Sequence, residues 1–298
     1  MIGDMESNTL HLSELKVGVV INSSSGGYDL ECEEKMRNTL KGAGIVEPKI
    51  WCDEADQMER SFKEAARQKL DVLVVLAGDG TIRNAAEACA AQGRYLLPLP
   101  GGTMNMLARA LYGNMSWQDA LDKTLASPLA KVLSGGRVAD KQFFIAAIVG
   151  APTLWAEARE SIRERDIGNA IEKGTIAFQK MFESKVRYFI SGVKQGEAEA
   201  VAVICPLVSE EMSESEQGLE VAAIEVENVA EVIGLLTTAA FGKWRDNRKI
   251  VLTKTNQVRV QSSKDIPAIL DGEKVNLGRR AEINFVSKAV TVLVPASS

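Results

Sequence analysis

Histidine is nearly absent from this chain: 298 residues hold a single one, His11, in the polar stretch ahead of the first apolar run. A Ser-His-Asp hydrolase, a Cys-His protease and a multi-histidine zinc site are therefore set aside. Any proton transfer has to rest on carboxylate, lysine or tyrosine. Cysteine is sparse as well. The four present, Cys32, Cys52, Cys89 and Cys205, lie far apart without metal or redox spacing, the pattern of reduced, inert thiols in a reducing compartment. No apolar run approaches the ~20 residues of a membrane span, and residues 1–15 show no signal-peptide core, so a cytoplasmic location is expected. Nor is there any excess of positive charge. A net charge of −5 argues against nucleic acid as a partner, because a phosphate backbone needs a basic surface. It also predicts no global attraction to anionic membranes.

What the chain does have is glycine-rich loops set directly behind short apolar runs. Ala77-Gly78-Asp79-Gly80-Thr81 comes after Val72-Leu73-Val74-Val75-Leu76, and Pro100-Gly101-Gly102-Thr103-Met104-Asn105 after Tyr95-Leu96-Leu97. A third small-residue loop, Ser23-Ser24-Ser25-Gly26-Gly27, succeeds the strand run of residues 16–22. Continuous Val-rich runs of this length fit strands buried on both faces of a parallel sheet. The segments behind the two longer loops read as helix, so both loops are strand-to-helix turns. Successive N–H groups there, with no side chains on the glycines, form a concavity that suits phosphate oxygens. Two such turns close in sequence suggest one polyphosphate held from two sides.

The first half alternates strand and helix, with strands expected at residues 16–22, 49–52, 72–76 and around Leu96. Helices are expected around Cys32-Met36-Leu40, over 54–69, from Thr81, over 103–111 and over 116–125. That rhythm predicts an α/β fold with a parallel sheet. Around Ser134 the character changes to short, mostly alternating runs: 135–138, 143–149, 186–190, 200–204, 219–226, 249–253, 257–261, 268–270, 282–285 and 290–294. Such a series separated by turn signals predicts an antiparallel β-sandwich. Two domains are therefore expected, 1–133 and 134–298, and the cleft between domains is the default place for a substrate. Residues 155–182 read as a charge-rich helical stretch, and 227–241 as an apolar helix or extended connection.

The paired loops, together with Asp271-Gly272-Glu273, resemble the diacylglycerol kinase catalytic-domain family of bacterial lipid kinases and sphingosine and ceramide kinases, relatives of the NAD kinases. The family's pattern is met by Asn22-Ser23-Ser24-Ser25-Gly26, by Ala77-Gly78-Asp79-Gly80-Thr81, by Gly102-Thr103-Met104-Asn105-Met106-Leu107-Ala108-Arg109 and by Asp271-Gly272-Glu273, over residues 16–295. The resemblance implies a nucleotide domain followed by a β-sandwich, ATP as phosphoryl donor and Mg2+ neutralising its phosphates. It implies that Asn22, Ser25, Gly26, Ala77, Gly78, Asp79, Gly80, Thr81, Gly102, Thr103 and Asn105 bind the nucleotide. Asp79, a carboxylate among phosphate-binding amides, would partner Mg2+ or a ribose hydroxyl. Glu273 would serve as base for the acceptor alcohol with Asp271 beside it, and diacylglycerol leads the acceptors by the family's habit. The plain alternative for Asp271-Gly272-Glu273 is a hairpin turn.

Departures from the pattern gather in the metal and acceptor regions more than in the nucleotide loops, where Ala77 replaces the family's first glycine and Ser23 a proline. Met106 replaces the second Asp of an Asn-Asp pair, and Asn84 replaces a glutamate. Family members also hold a structural Mg2+ in a second-domain loop, where this chain has Glu214, Gln217 and Leu219; an amide such as Gln217 binds Mg2+ less well than a carboxylate. Rival expectations are an NAD kinase-like small-molecule kinase and a non-catalytic nucleotide-binding regulator. A lipid acceptor implies transient peripheral contact with the inner membrane surface. Residues 159–185 and 242–248 interleave cations with apolar side chains as an interfacial helix would, or as ordinary amphipathic packing would. A homodimer is left open.

Overall fold

Two six-residue runs, Val17–Asn22 (β1) and Val72–Ala77 (β3), are buried at every position, as strands must be when both faces of their sheet are covered. The computed structural model describes residues 12–150, 185–190, 194–209, 211–224 and 250–296. By its contacts the chain divides into two units, residues 1–133 with 288–298, and residues 134–287.

In the first unit β1 pairs in parallel with β2 (Lys49–Asp53) on one side and β3 on the other, and β3 pairs in parallel with β4 (Tyr95–Pro100). The order is β2-β1-β3-β4. Helices α1 (Cys32–Gly42), α2 (Met58–Ala66) and α3 (Asp79–Gln92) connect successive strands, and α4 (Met106–Tyr112) and α5 (Trp117–Ala126) come after β4. Helix α1 buries Cys32, Met36 and Leu40, the i, i+4, i+8 stripe legible in the sequence. Chain order reverses between β1 and β3, and at such a switch point neighbouring strands send their loops apart and open a crevice at the sheet's carboxyl edge.

The second unit is an antiparallel sandwich. One sheet runs β12 (Ile250–Thr255), β11 (Leu219–Ile224), β10 (Ala200–Ile204), β7 (Ala146–Gly150), β14 (Pro267–Leu270) and β15 (Glu273–Asn276). Against it lie β9 (Lys194–Ala198), β8 (Val186–Ile190), β13 (Gln257–Gln261) and the first half of β16 (Arg280–Pro295), all antiparallel. The hairpin of β5 (Pro128–Val138) and β6 (Lys141–Phe143) joins the latter sheet. Phe143, Tyr188, Val258 and Ile283 from one sheet and Val149, Val201, Val221 and Leu270 from the other are fully buried in one cluster, the alternate residues of each strand interleaving as in other sandwiches.

Several elements differ from the sequence reading. Residues 143–149, read as one strand, are two strands in different sheets, β6 and β7, separated at Phe144-Ile145 where backbone amides turn toward Asp271. Strands β9 and β15 have no counterpart in that reading, because polar residues without alternation carry no periodic signal. The two closing runs are one sixteen-residue strand, β16. Its residues 280–284 pair with β13, while Thr291 and Val292 pair in parallel with β4, so the second half of β16 closes the first unit's sheet rather than belonging to the sandwich. The Tyr112 hydroxyl donates to the Leu293 carbonyl at 3.1 Å, fixing that tail; burial pushes the phenol pKa up. Helix 54–69 is a 3-10 turn followed by α2, and the helix expected from Thr103 begins at Met106. His11 and the stretches 155–182, 227–241 and 242–248 lie outside the described residues, as does 159–185 up to its last residue.

All four cysteines are free thiols, three of them buried and Cys52 half-buried. Burial pushes Cys89 up to about 12 and Cys205 well above the ordinary thiol range, which makes them poor nucleophiles and poor metal ligands. No described helix is long and apolar enough to cross a membrane.

Candidate active site

Strand register puts three loops side by side at one edge. Ile21 is paired with Leu76, and Ala77 with Pro100, so the loops after β1, β3 and β4 leave the sheet together. They are then joined backbone to backbone. The Gly27 amide donates to the Gly101 carbonyl at 2.8 Å, and the Gly101 amide to the Ala77 carbonyl at 3.1 Å. The approach is too close for side chains. A Cβ on Gly101 would lie 2.7 Å from the Ala77 nitrogen, and one on Gly102 2.6 Å from the Gly78 Cα. Glycine at 101 and 102 is thus a steric requirement of the loop junction.

Each loop also fixes its own shape. Asn22, buried, accepts the Ser24 amide on Oδ1 at 2.9 Å, an Asx turn that folds the chain back after the strand. Asn105 has a left-handed backbone at φ 52. Its Oδ1 accepts the Gly102 amide and its Nδ2 donates to the Gly102 carbonyl, both at 2.7 Å. That closed ring delays the helix to Met106 and makes Asn105 a loop former.

Asp79 differs most from expectation. Its Oδ1 accepts the amide of Met106 at 2.6 Å, so the carboxylate caps helix α4 from another loop, where a negative charge also complements the helix dipole. A metal ion or ribose hydroxyl is not needed to account for an acidic residue there. The cap also explains how Met106 can occupy its position, because it is the backbone amide that is used. Meanwhile the first intrahelical bond of α3 runs from Ile82 to Gly78. The amides of Asp79, Gly80 and Thr81 therefore have no acceptor within the helix. Gly80 and Thr81 are half-buried and Thr103 is exposed. This edge can bind an anion, with amide donors from α3 and hydroxyls from Thr81 and Thr103.

In the second unit Asp271 and Gly272 are the two central residues of the β14–β15 hairpin, with φ 46 and 90 and with Leu270 opposite Glu273. Positive φ at both positions is the turn type that Asp-Gly favours. The plain hairpin reading is therefore real, and Asp271 does more. Fully enclosed, it accepts the Phe144 amide at 2.7 Å, the Ile145 amide at 2.9 Å and the Ala146 amide at 3.0 Å. Sequence reasoning put Asp271 with the catalytic carboxylates; these three bonds make it the clamp that sets the hairpin on β7. Glu273 is exposed at the start of β15.

The residues proposed for a structural Mg2+ do not fit one. Glu214 and Gln217 are exposed and Leu219 is buried in the β11–β12 ladder. The loop's other carboxylate, Glu216, takes the Ser213 amide at 3.1 Å and the Lys254 ammonium at 3.1 Å. Those two partners hold its pKa below the ordinary range. Among the described residues no group of three or more His, Cys, Asp or Glu gathers as a metal site.

Sequence reasoning placed Gly27 and Gly101 in the loops but not among the site residues, although they make the junction and each belongs to a Gly-Gly pair that could have signalled close approach. It also missed Arg83, a buried charge one turn into α3, for which no sequence signal exists.

Residues 16–135 match the family described as the diacylglycerol kinase catalytic domain. A Streptococcus pneumoniae protein described provisionally as a lipid kinase is 24% identical over 298 residues, spanning 93% of this chain and 97% of that protein. The diacylglycerol kinase of Bacillus subtilis is 24% identical over 241 residues, spanning 74% of this chain and 76% of that protein. Among solved structures, one from Bacillus anthracis, described provisionally as a diacylglycerol kinase, superposes with a TM-score of 0.71 at 19% identity, covering 94% of this chain and 97% of that one. A diacylglycerol kinase of the same organism superposes with a TM-score of 0.66 at 16% identity, covering 94% of this chain and 96% of that one. The structures share the fold, and the glycine loops joined at the sheet edge all lie within residues 16–135, the part of this chain that matches the diacylglycerol kinase catalytic domain.

Proposed function

We propose that this protein is a lipid kinase that transfers the γ-phosphoryl group of Mg·ATP to a lipid hydroxyl, with diacylglycerol to phosphatidic acid as the leading reaction. The single observation that carries this reading is the junction of three loops at the carboxyl edge, where α3 offers amides without helical acceptors. In this reading those amides, with the hydroxyls of Thr81 and Thr103, bind the triphosphate. Ser25, Gly26 and Gly78 line the same edge, while Asn22, Ala77, Gly102 and Asn105 keep the loops in shape. Asp79 acts through the α4 cap.

Phosphoryl transfer asks little covalent chemistry of a protein beyond positioning and charge neutralisation. The acceptor oxygen attacks the γ-phosphorus, ADP leaves, and the hydroxyl proton passes to the Glu273 carboxylate. Asp271 holds the hairpin that presents Glu273. The reading is supported by the kinase family of residues 16–135 and by the shortage of other bases, with one histidine in the chain. Access to a lipid acceptor would bring transient peripheral contact with the inner face of the membrane.

The test is incubation of the purified protein with γ-labelled ATP, Mg2+ and diacylglycerol in mixed micelles. Labelled phosphatidic acid is expected from wild type and at least about a hundred-fold less from Glu273→Gln. Label on NAD instead, without detergent or lipid, would replace this reading with an NAD kinase. Nucleotide binding without transfer to any lipid extract would replace it with a regulator.

A further inference from the structure

Arg83 is 8% exposed, and among the described residues neither its Nε nor its Nη1 has a hydrogen-bond partner. A guanidinium does not give up its proton to escape burial. An ionised group taken out of water without a partner is strongly unfavourable, so a buried arginine in this condition calls for an anion. Its place in the fold says which one. Arg83 lies four positions after Asp79 in α3, and side chains on a helix lean back over the turn that precedes them. That lean directs Arg83 toward the turn of Asp79 and Gly80, whose amides have no acceptor within the helix.

Two carboxylates share its stripe of the helix, Asp79 at i−4 and Glu87 at i+4. Asp79 is already engaged with the Met106 amide. A monovalent carboxylate at either position would also leave the planar, multi-donor guanidinium only partly satisfied. A phosphate group, with several oxygens and more than one negative charge, matches it better.

We propose that Arg83 is a phosphate-binding residue of this protein, its Nε–H and Nη1–H donating to oxygens of a phosphate seated on the α3 amides. The proposal rests on the anion-binding reading of that edge and adds to it a buried cation that neutralises the bound group. The ligand class is a phosphate ester or anhydride, supplied either by the nucleotide's polyphosphate or by an anionic lipid headgroup.

The test compares wild type with Arg83→Met, which keeps volume and removes charge, and Arg83→Lys, which keeps charge without the fork. Binding is measured for ATP, for inorganic tripolyphosphate, and for phosphatidylglycerol vesicles against phosphatidylcholine vesicles, and melting is followed without ligand. Arg83→Met is expected to weaken phosphate binding about ten- to a hundred-fold, as for loss of charge-assisted hydrogen bonds, with Arg83→Lys between. Without ligand, Arg83→Met is expected to melt higher than wild type, because an unpartnered buried charge has been removed. A purely structural arginine would give the opposite sign. Loss confined to ATP and tripolyphosphate assigns the phosphate to the nucleotide; loss confined to anionic vesicles assigns it to a lipid headgroup. Equal binding of every probe by wild type and Arg83→Met overturns the proposal while leaving the nucleotide reading standing, and so does a lower melting temperature for ligand-free Arg83→Met. Wild type that binds none of the probes overturns both.

Discussion

The Asp79 carboxylate and the Met106 amide lie 2.6 Å apart across 27 residues of sequence. One bond thus ties the turn that begins α3 to the first turn of α4, and it gives an acidic side chain in a phosphate loop a structural duty. Asp79→Ala is expected to destabilise the protein by about 1–2 kcal/mol, the worth of an N-cap or a charged hydrogen bond. Asp79→Asn, which keeps an acceptor oxygen, is expected to recover most of that loss in urea unfolding. If nucleotide affinity also recovers in Asp79→Asn, the cap is what binding requires; if it stays low, the charge itself matters.

Gly102 and Gly78 are separated by less than a methyl group needs. Gly102→Ala must push the loops apart, at a cost of about 1–3 kcal/mol for overpacking, and ATP affinity should fall with it. Gly42→Ala, where a Cβ meets nothing within 4 Å, is the control and should change neither. Thermal melts with and without ATP read both effects.

Asp271 and Glu273 are two residues apart and should behave oppositely. Asp271→Ala orphans three amides, and a loss of more than about 3 kcal/mol is expected. Glu273→Gln at an exposed position should leave the urea midpoint where it is and lower transfer about a hundred-fold or more, as for removal of a general base.

Cys89 makes stability fall in alkali. Its unfolded thiol titrates near 9.0 and the folded one at about 12, raised by burial. Between those values the unfolded state binds fewer protons, so stability declines as pH rises, by up to about 1.4 kcal/mol per pH unit. Below the unfolded value the stability is fully present. Melting temperatures across that alkaline range should drop less steeply in Cys89→Ala.

Lys254 and Glu216 pair at the loop where the sequence resemblance placed a structural Mg2+. Chelation with EDTA should leave the melting temperature of the ligand-free protein unchanged. Lys254→Ala should lower stability by less than about 1 kcal/mol, because both side chains are well exposed and such pairs are weak.

The nucleotide half was legible because its signals are local. A fully buried strand announces itself as an unbroken Val-Leu run, and a strand-to-helix turn as glycine behind it. Residues 72–81 contain both, and the structure places β3 and α3 where that pattern says. Asn22, Asn105 and Asp79 were legible as members of the loops, but their duties were not. Each acts through hydrogen bonds to particular amides, and only the folded chain decides which amide comes within reach. Strand β15 was illegible because exposed polar residues at a sheet edge have no period. The break between β6 and β7 was hidden because its cause, the Asp271 carboxylate, lies more than a hundred residues away.

Sequence by itself determined the class of fold, the three glycine loops and the poverty of bases that leaves carboxylates to do the chemistry, since each arises from residue type and near-neighbour spacing. The tertiary structure decided that Asp79 and Asp271 are clamps, that Gly27 and Gly101 make the junction, that the second half of β16 returns to the first sheet, and that Nε and Nη1 of Arg83 are buried without a hydrogen-bond partner among the described residues. The physical reason is range: hydropathy patterns act over a few residues, whereas the partner of a buried charge or amide is set by which distant segments the fold brings within about 3 Å.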